Sequence, residues 1–441
     1  MPSAAFTTLG CKVNQYETQR ILESFSEAGF QVVPFDSSAD VYVVNSCSVT
    51  SIAECKSRYT IRKAARSNPA AKIVVTGCAA QMALNKGETV EGADVLVPNP
   101  QKLETLSFLF EEFPELARQV REEPFLAETQ PLGRTRATLK IQDGCSVMCS
   151  YCSIPYTRPG LVSRRASEVL AEARKMAQMG YREIVLTGVL IGAYGPESGS
   201  GGPDFEDLLE LLHKACPETR LRISSIEMRQ VTPRLISLLQ DGFAVPHLHI
   251  PLQSGSTGVL RAMNRPYSHD DYLTLCERLY KAVPDISITA DIMVGFPTET
   301  EEDFQESVKV CEEVGYLKAH VFRFSPRFGT PADAWGDPVS PEEKQRRASV
   351  LGANSSRTGE VHTRRFLGRT MRVLVEGKLT KQGLMQGLTD NYLEVQFAGA
   401  PSLSRQFAWV RLMEFKDGGL VGELAAEPAT GRELRSIRVR A

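Results

Sequence analysis

Residues 137–152 read ATLKIQDGCSVMCSYC, a β-prone run that passes through Gly144 into Cys145, Cys149 and Cys152 at CxxxCxxC spacing. The same opening, a short apolar run leading into a loop, recurs as far as about Ser325. Strand-like runs at REIVLTG (182–188), LRISSI (221–226), PHLHIPL (246–252), ISITADIMVGF (286–296) and HVFRFS (320–325) alternate with helical patterns. Those patterns lie at SEVLAEARKMAQMG (167–180), FEDLLELLHKA (205–215), PRLISLLQ (233–240), DDYLTLCERLYKAV (270–283) and TEEDFQESVKVCEEVG (300–315). Six βα units in about 190 residues predict one parallel barrel or partial barrel of the TIM type, with the chemistry on the loops that follow the strands.

On the N-terminal side, AAFTTL (4–9), VYVVN (41–45), KIVVTG (72–77) and DVLVP (94–98) alternate with helical patterns at 15–29 and 51–67. This predicts a separate open α/β sheet with mostly parallel strands. Residues 119–133, with Pro124 and Pro131 among charges, read as a linker. Past Pro341 a basic helical stretch gives way to five short runs, MRVLVEG, GLMQGLT, YLEVQFA, FAWVRLMEF and GLVGELA, the pattern of a small OB-like β-barrel. The expected class is therefore α/β with three domains, over residues 2–118, 131–361 and 364–427.

Composition agrees with a folded, multidomain chain. At 441 residues, 42% hydrophobic and 24% charged, a wholly disordered chain and a fibrous repeat are excluded. The net charge of −2 leaves any nucleic-acid binding to local patches. MPSAAFTTLGCKVNQ lacks the pattern of a secretory signal, and no run approaches the ~18 apolar residues of a membrane span. A cytoplasmic location without membrane attachment is expected, where thiols stay reduced and patterned cysteines serve as metal, cluster or catalytic ligands.

The ten cysteines fall into three groups. Cys145, Cys149 and Cys152 can each bind one iron of a cubane cluster and leave the fourth iron open to a small molecule. Zinc is the rival at this site, although structural zinc usually closes its tetrahedron and no fourth ligand follows in Ser153, Ile154, Pro155 or Tyr156. Cys11, Cys47 and Cys78 each fall just beyond the carboxyl end of a predicted parallel strand, the edge where ligands of open α/β sheets gather. They could hold a second cluster or be buried core thiols. Cys55, Cys216, Cys276 and Cys311 carry no such pattern and read as packing residues.

TLGCKVNQYET (8–18), VVNSCSVT (43–50), VTGCAAQ (75–81), KIQDGCSVMCSYCSIPYTRPG (140–160), HLHIPLQSGS (247–256), DIMVGFPTETEED (291–303) and FRFSPRFGTPA (322–332) together resemble the methylthiotransferases, radical S-adenosylmethionine enzymes with two clusters. The resemblance runs from Thr8 to beyond Leu424 and implies an N-terminal domain, a radical barrel and a C-terminal TRAM domain. It implies that a 4Fe-4S cluster on Cys145, Cys149 and Cys152 binds and cleaves S-adenosylmethionine, while a second on Cys11, Cys47 and Cys78 carries the sulfur to be transferred. One cofactor molecule methylates that sulfur. Another yields the radical that removes the hydrogen at C2 of the adenine. LGCKVNQYET is similar to the branch acting on N6-threonylcarbamoyladenosine at position 37 of tRNA. The branch acting on isopentenyladenosine usually reads GCQMN, and the ribosomal-protein branch GCPKN. Tyr156-Thr157-Arg158-Pro159-Gly160 departs from the family's usual YARG, which puts the local loop path in doubt.

Further candidates follow from position. Glu227, Gln253 and Ser254 end barrel strands and are candidates for the cofactor's polar groups, by position and resemblance. Gly188, Gly255 and Gly295 follow strands, where a missing side chain lets backbone approach a ligand or simply serves a turn. Asp291 could face the lumen or cap structure, and His247 and His249 share one strand face. Residues 342–372 set eight cations against Glu342, Glu343 and Glu360, a surplus of five that suits a phosphate backbone. Arg58, Arg62 and Arg66 line one face of a helix, and Arg432, Arg435, Arg438 and Arg440 stud the tail. The expected partners are tRNA through its anticodon stem-loop, an electron donor such as flavodoxin or ferredoxin, and a sulfur source. The same chemistry on isopentenyladenosine or on a ribosomal protein, and a non-catalytic zinc-containing RNA-binding protein, are the competing readings.

Overall fold

The computed structural model describes residues 1–120 and 134–428. The predicted linker and the arginine-bearing tail fall almost wholly outside the described residues. At the N-terminus, β1 (Ser3–Thr8), β2 (Gln31–Val33), β3 (Val41–Ser46), β4 (Lys72–Gly77) and β5 (Val95–Leu96) form one sheet in the order β2-β1-β3-β4-β5, with every pair parallel. The central strand, VYVVNS, is buried along its whole length because helices cover both faces. These are α1 (Lys12–Glu27), α2 (Ser51–Ser67), α3 (Cys78–Lys86), α4 (Thr105–Glu112) and α5 (Pro114–Gln119). Phe25, Phe30, Val43 and Leu109 fill one face, and Tyr42, Val44, Ile61 and Ile73 the other.

The second domain opens with β6 (Ala137–Lys140). A small antiparallel pair, β7 (Gln142–Asp143) and β8 (Val162–Ser163), brackets the short helix α6 (Ile154–Thr157). After α7 (Ala166–Gln178) come β9 (Glu183–Thr187), α8 (Phe205–Ala215), β10 (Arg220–Ile223), α9 (Pro233–Gln240), β11 (His247–His249), α10 (Thr257–Ala262), α11 (His269–Ala282), β12 (Ser287–Val294), α12 (Glu301–Val314) and β13 (Lys318–Arg323). Strands β6, β9 and β10 pair in parallel, as do β11, β12 and β13, and a parallel bridge from Ser225 to His249 joins the two ladders. The result is a six-stranded partial barrel over a core that includes Leu139, Leu186, Ile223, Leu248 and Ile288. Capping boxes at Asp204/Asp207, Ser268/Asp271 and Thr300/Asp303 fix where α8, α11 and α12 begin.

After α13 (Pro331–Ala334), the long helix α14 (Pro341–Arg364) packs along β13 and α12 and leads into β14 (Thr370–Val375), β15 (Met385–Thr389), β16 (Glu394–Phe397), β17 (Phe407–Lys416) and β18 (Gly419–Leu424). These five close into a barrel in the order β14-β15-β16-β18-β17. The small barrel sits under the ends where the large barrel's strands begin. Arg220 pairs with Asp390, Arg222 donates to the Asp390 carbonyl, Arg369 pairs with Asp285, and the ring of Tyr392 stacks on His247 at 4.3 Å. Among the described residues no helix is long and apolar enough to cross a membrane.

Two sequence expectations change here. The cationic surplus over 342–372 is largely consumed within the fold. Lys344 meets Asp337, Arg346 meets Glu301 and Glu343, Arg347 meets Glu299 and Glu343, Arg357 meets Glu312, Arg364 meets Glu360, Arg369 meets Asp285 and Arg372 meets Asp390. Most of these carboxylates come from distant elements, so a sum over one segment counts cations without their partners. Cys55 is likewise not a packing residue. It is exposed on α2 beside Arg58, whereas Cys216, Cys276 and Cys311 are buried in the large core.

Candidate functional site

Cys145, Cys149 and Cys152 lie on the loop leaving β7. Gly144 has φ +75°, and a Cβ there would stand 1.8 Å from the Gly160 carbonyl oxygen, so only glycine lets the two arms of the loop touch. The loop is bolted down by Ser150, whose hydroxyl donates to the Ala262 carbonyl, and by Asn264, whose amide donates to the Met148 carbonyl. Backbone N–H groups aim at the sulfurs, Val147 to Cys145 Sγ and Ile154 to Cys152 Sγ, both at 3.4 Å. Arg265, 6% exposed, donates to Cys149 Sγ at 3.4 Å and pairs with Glu227 at 2.6 Å. Burial, together with the neighbouring thiols, pushes the Cys152 thiol up to about 12, and burial also raises Cys145. Three thiols in an apolar setting, each met by an N–H donor that would offset thiolate charge, fit an iron–sulfur ligand set.

Cys11, Cys47 and Cys78 follow β1, β3 and β4, three adjacent strands, and so share one edge of the N-terminal sheet. A Cβ on Gly10 (φ +94°) would lie 2.7 Å from Cys47 Sγ, which ties the loop carrying Cys11 to Cys47. The Asn99 amide points at Cys78 Sγ from 3.7 Å. Burial raises Cys11, with Arg158 opposing, and pushes Cys47 up to about 11; Cys78 raises both. Among the described residues no three Cys, His, Asp or Glu side chains are gathered as a ready cage for a metal ion. The fit at this edge rests on shared position and thiol chemistry.

Between the two thiol sets lies a buried ionic knot that no sequence motif announced. Glu17 of α1, its side chain 1% exposed, accepts from Lys102 at 2.7 Å, Lys140 at 2.6 Å and both terminal nitrogens of Arg158. Arg158 also pairs with Asp143 and donates to Asn14 Oδ1 at 2.7 Å. Burial alone would raise the Glu17 carboxyl, but Lys102, Arg158 and Lys140 hold it well below the usual carboxylate range. The departure at Thr157-Arg158 is therefore the point where the cysteine loop locks onto the N-terminal domain, helped by Asn99 and Asn85 amides on the Thr157 and Tyr156 carbonyls. Arg265, in MNRPY (263–267), also went unsignalled. Its one local mark is the left-handed backbone of Asn264 before it.

The other candidates divide. Glu227 stands beside the cysteine loop through Arg265. Gln253 occupies the left-handed region at φ 70° and exchanges backbone bonds with β12. Ser254 is wholly buried and its hydroxyl accepts from the Ser256 N–H, so it serves the turn before α10 and leaves no open polar group for a cofactor. Gly188 makes room for Gln142, whose side-chain Oε1 accepts from the Val189 and Leu190 N–H groups. Gly255 makes room for α12 and Gly295 for Lys344; at all three the close neighbour is protein. Asp291, His247 and His249 line the barrel lumen, with His249 Nε2 3.3 Å from Asp291.

Residues 139–311 match the radical SAM superfamily, and residues 3–97 match the uncharacterized protein family UPF0004. The chain is 37% identical over 430 residues to the threonylcarbamoyladenosine tRNA methylthiotransferase MtaB of Bacillus subtilis, covering 94% of each chain. It is 33% identical to the protein of that name from Thermotoga maritima (96% of each). A tRNA-2-methylthio-N(6)-dimethylallyladenosine synthase of Methylobacillus flagellatus is 35% identical (95% of this chain, 98% of the other). Among solved structures, the radical S-adenosylmethionine methyltransferase TsrM of Kitasatospora setae aligns with a TM-score of 0.50 at 14% identity, over 76% of this chain and 75% of that one, a likeness of fold.

Proposed function

Because the chain belongs to the radical S-adenosylmethionine methylthiotransferases, we propose that it inserts a methylthio group at C2 of N6-threonylcarbamoyladenosine at position 37 of tRNA, using two 4Fe-4S clusters and S-adenosylmethionine as both methyl donor and radical source. The observation that carries this reading is the pair of thiol triads, one on each domain, joined through the Glu17–Arg158 knot. The substrate assignment is supported by LGCKVNQYET and by the names of relatives such as the Bacillus subtilis protein; relatives named for the dimethylallyl nucleoside have overlapping identities.

Cys145, Cys149 and Cys152 would hold an iron–sulfur cluster able to supply the electron for cleavage of the sulfonium of S-adenosylmethionine, and Cys11, Cys47 and Cys78 would hold a second at the site of sulfur transfer. The chain's own residues orient and insulate. The Val147 and Ile154 N–H groups and Arg265 offset sulfur charge, and Glu227 fixes Arg265 in place. The Glu17–Arg158 pair ties the helix that follows Cys11 to the loop that follows Cys152. The hydrogen at C2 of adenine is not acidic, so no general acid–base pair is required. An external one-electron donor and a sulfur source complete the turnover. For RNA contact, the exposed face of α2 offers Tyr59 and Arg66, while its Arg58 and Arg62 are paired with Glu54 and Glu91 much as the cations of 342–372 are paired.

Two experiments test this. Nucleosides of tRNA from a strain lacking the gene should contain threonylcarbamoyladenosine without its methylthio form; an unchanged profile would sink the substrate assignment. In the purified protein, Cys145→Ala should abolish cofactor cleavage, whereas Cys47→Ala should retain cleavage and stop thiolation. Equal loss of cleavage in both variants contradicts the division of labour.

A further inference from the structure

The partial barrel, α14 and the small barrel together line a cavity of about 860 Å³, within the ~300–1,000 Å³ typical of small-molecule sites. One side is bounded by Lys12, the residue after Cys11, and the floor by Tyr392 of the small barrel. Its walls carry Lys12, Arg136, Arg222 and Lys318 against Asp291, Glu360 and Glu394. Arg136 and Arg222 line it and, with Arg220, share the buried carboxylate of Glu183. Among the described residues Lys12 has no ion-pair partner. Asp291 on the wall is held by His249, and Thr289 bridges the His247 and His249 rings. His247 is 5% exposed, and among the described residues its Nδ1 has no hydrogen-bond partner. The field is visible in Tyr392: burial would raise its hydroxyl, yet Arg136, Lys12 and Arg222 bring it below its ordinary value.

An apolar group seated against Lys12 is costly, because that ammonium would lose water and gain no partner. We propose that this lumen is a carboxylate-binding chamber in which Lys12 anchors the anionic end of the substituent on the substrate base, with Arg136 and Arg222 supplying the supporting field. The proposal rests on a modified tRNA base as substrate. It makes Lys12 a specificity-determining residue that selects an N6 substituent ending in a carboxylate over an apolar one. The second source of a carboxylate is the amino-acid end of S-adenosylmethionine, and the test separates the two.

Anticodon stem-loops carrying N6-threonylcarbamoyladenosine, its methyl ester or unmodified adenosine would be titrated by fluorescence anisotropy against the anaerobically reconstituted protein and its Lys12→Met and Lys12→Arg variants. The wild type should bind the acid about 10- to 100-fold more tightly than the ester, the range expected for one charge-assisted contact. Lys12→Met should erase that difference and Lys12→Arg keep most of it, with iron content and S-adenosylmethionine affinity unchanged. Equal binding of acid and ester by the wild type overturns the proposal, and methylthiolation of the acid stem-loop in the same preparation would leave the substrate reading standing. Persistence of the preference in Lys12→Met overturns it too, as does a loss confined to S-adenosylmethionine affinity.

Discussion

Replacing Glu17 by Gln removes a single charge from the least solvated part of the domain junction. Glu17 accepts from three cations, but they do not lose equally. Arg158 and Lys140 retain Asp143, whereas Lys102, with a side chain 2% exposed, has no second carboxylate among the described residues. One ammonium is therefore left buried and uncompensated, for which a loss of ~3–5 kcal/mol is expected, nearer the lower figure because the Gln carbonyl still accepts one bond. Amide hydrogen exchange read by mass spectrometry measures this locally, which suits a chain of several domains. Peptides covering α1 and residues 99–112 should exchange about 100-fold faster in Glu17→Gln, since each ~1.4 kcal/mol is tenfold, while peptides of the small barrel stay unchanged. Adding Lys102→Met to Glu17→Gln should restore protection, because it deletes the orphaned charge; the same change in the wild type should cost stability. A loss under about 1 kcal/mol, or strictly additive effects of the two substitutions, would refute the account of the knot.

Two further outcomes are expected. Gly144→Ala places a Cβ against the Gly160 carbonyl at a positive φ; left-handed strain of ~1–2 kcal/mol plus the clash should open the loop and lower iron and sulfide content after reconstitution by at least about half, without unfolding the N-terminal sheet by circular dichroism. For Glu183, burial opposes but Arg222 and Arg220 prevail, holding its carboxyl down to about 2 against an ordinary 4.5. Its contribution is therefore fully present above about pH 4.5 and lost as pH falls toward 2, so the stability gap between wild type and Glu183→Gln should narrow across that window in denaturant titrations and stay constant above it.

The period of the apolar residues carried the architecture: FEDLLELLHKA and PRLISLLQ became α8 and α9 with their predicted limits, and the five C-terminal runs closed into a barrel. β2 escaped notice because QVV is three residues long at an outer strand with no alternation to read. The six cysteines could be singled out as candidates because metal chemistry constrains spacing and strand position, and the structure places three on one loop and three along one sheet edge. Glu17, Lys102, Arg158 and Arg265 could not be, since a buried charge has no local signature: Glu17 is made tolerable by partners 85 to 141 residues away in the knot, and Arg265 by Glu227, 38 residues away. The same logic misled in reverse at 342–372, where partners such as Glu299, Glu301, Glu312, Asp285 and Asp390 neutralise what looked like a free basic surface.

The stack of Tyr392 on His247 makes the floor of the large barrel a loan from the small one. The two are thus not modules to be traded freely. A chain shortened after α14, or fitted with the small barrel of a relative, would change the shape and wetness of the inner chamber along with its outer grip. Its defects would then show in the fidelity of the reaction, including cofactor wasted without product, as much as in the strength with which RNA is held.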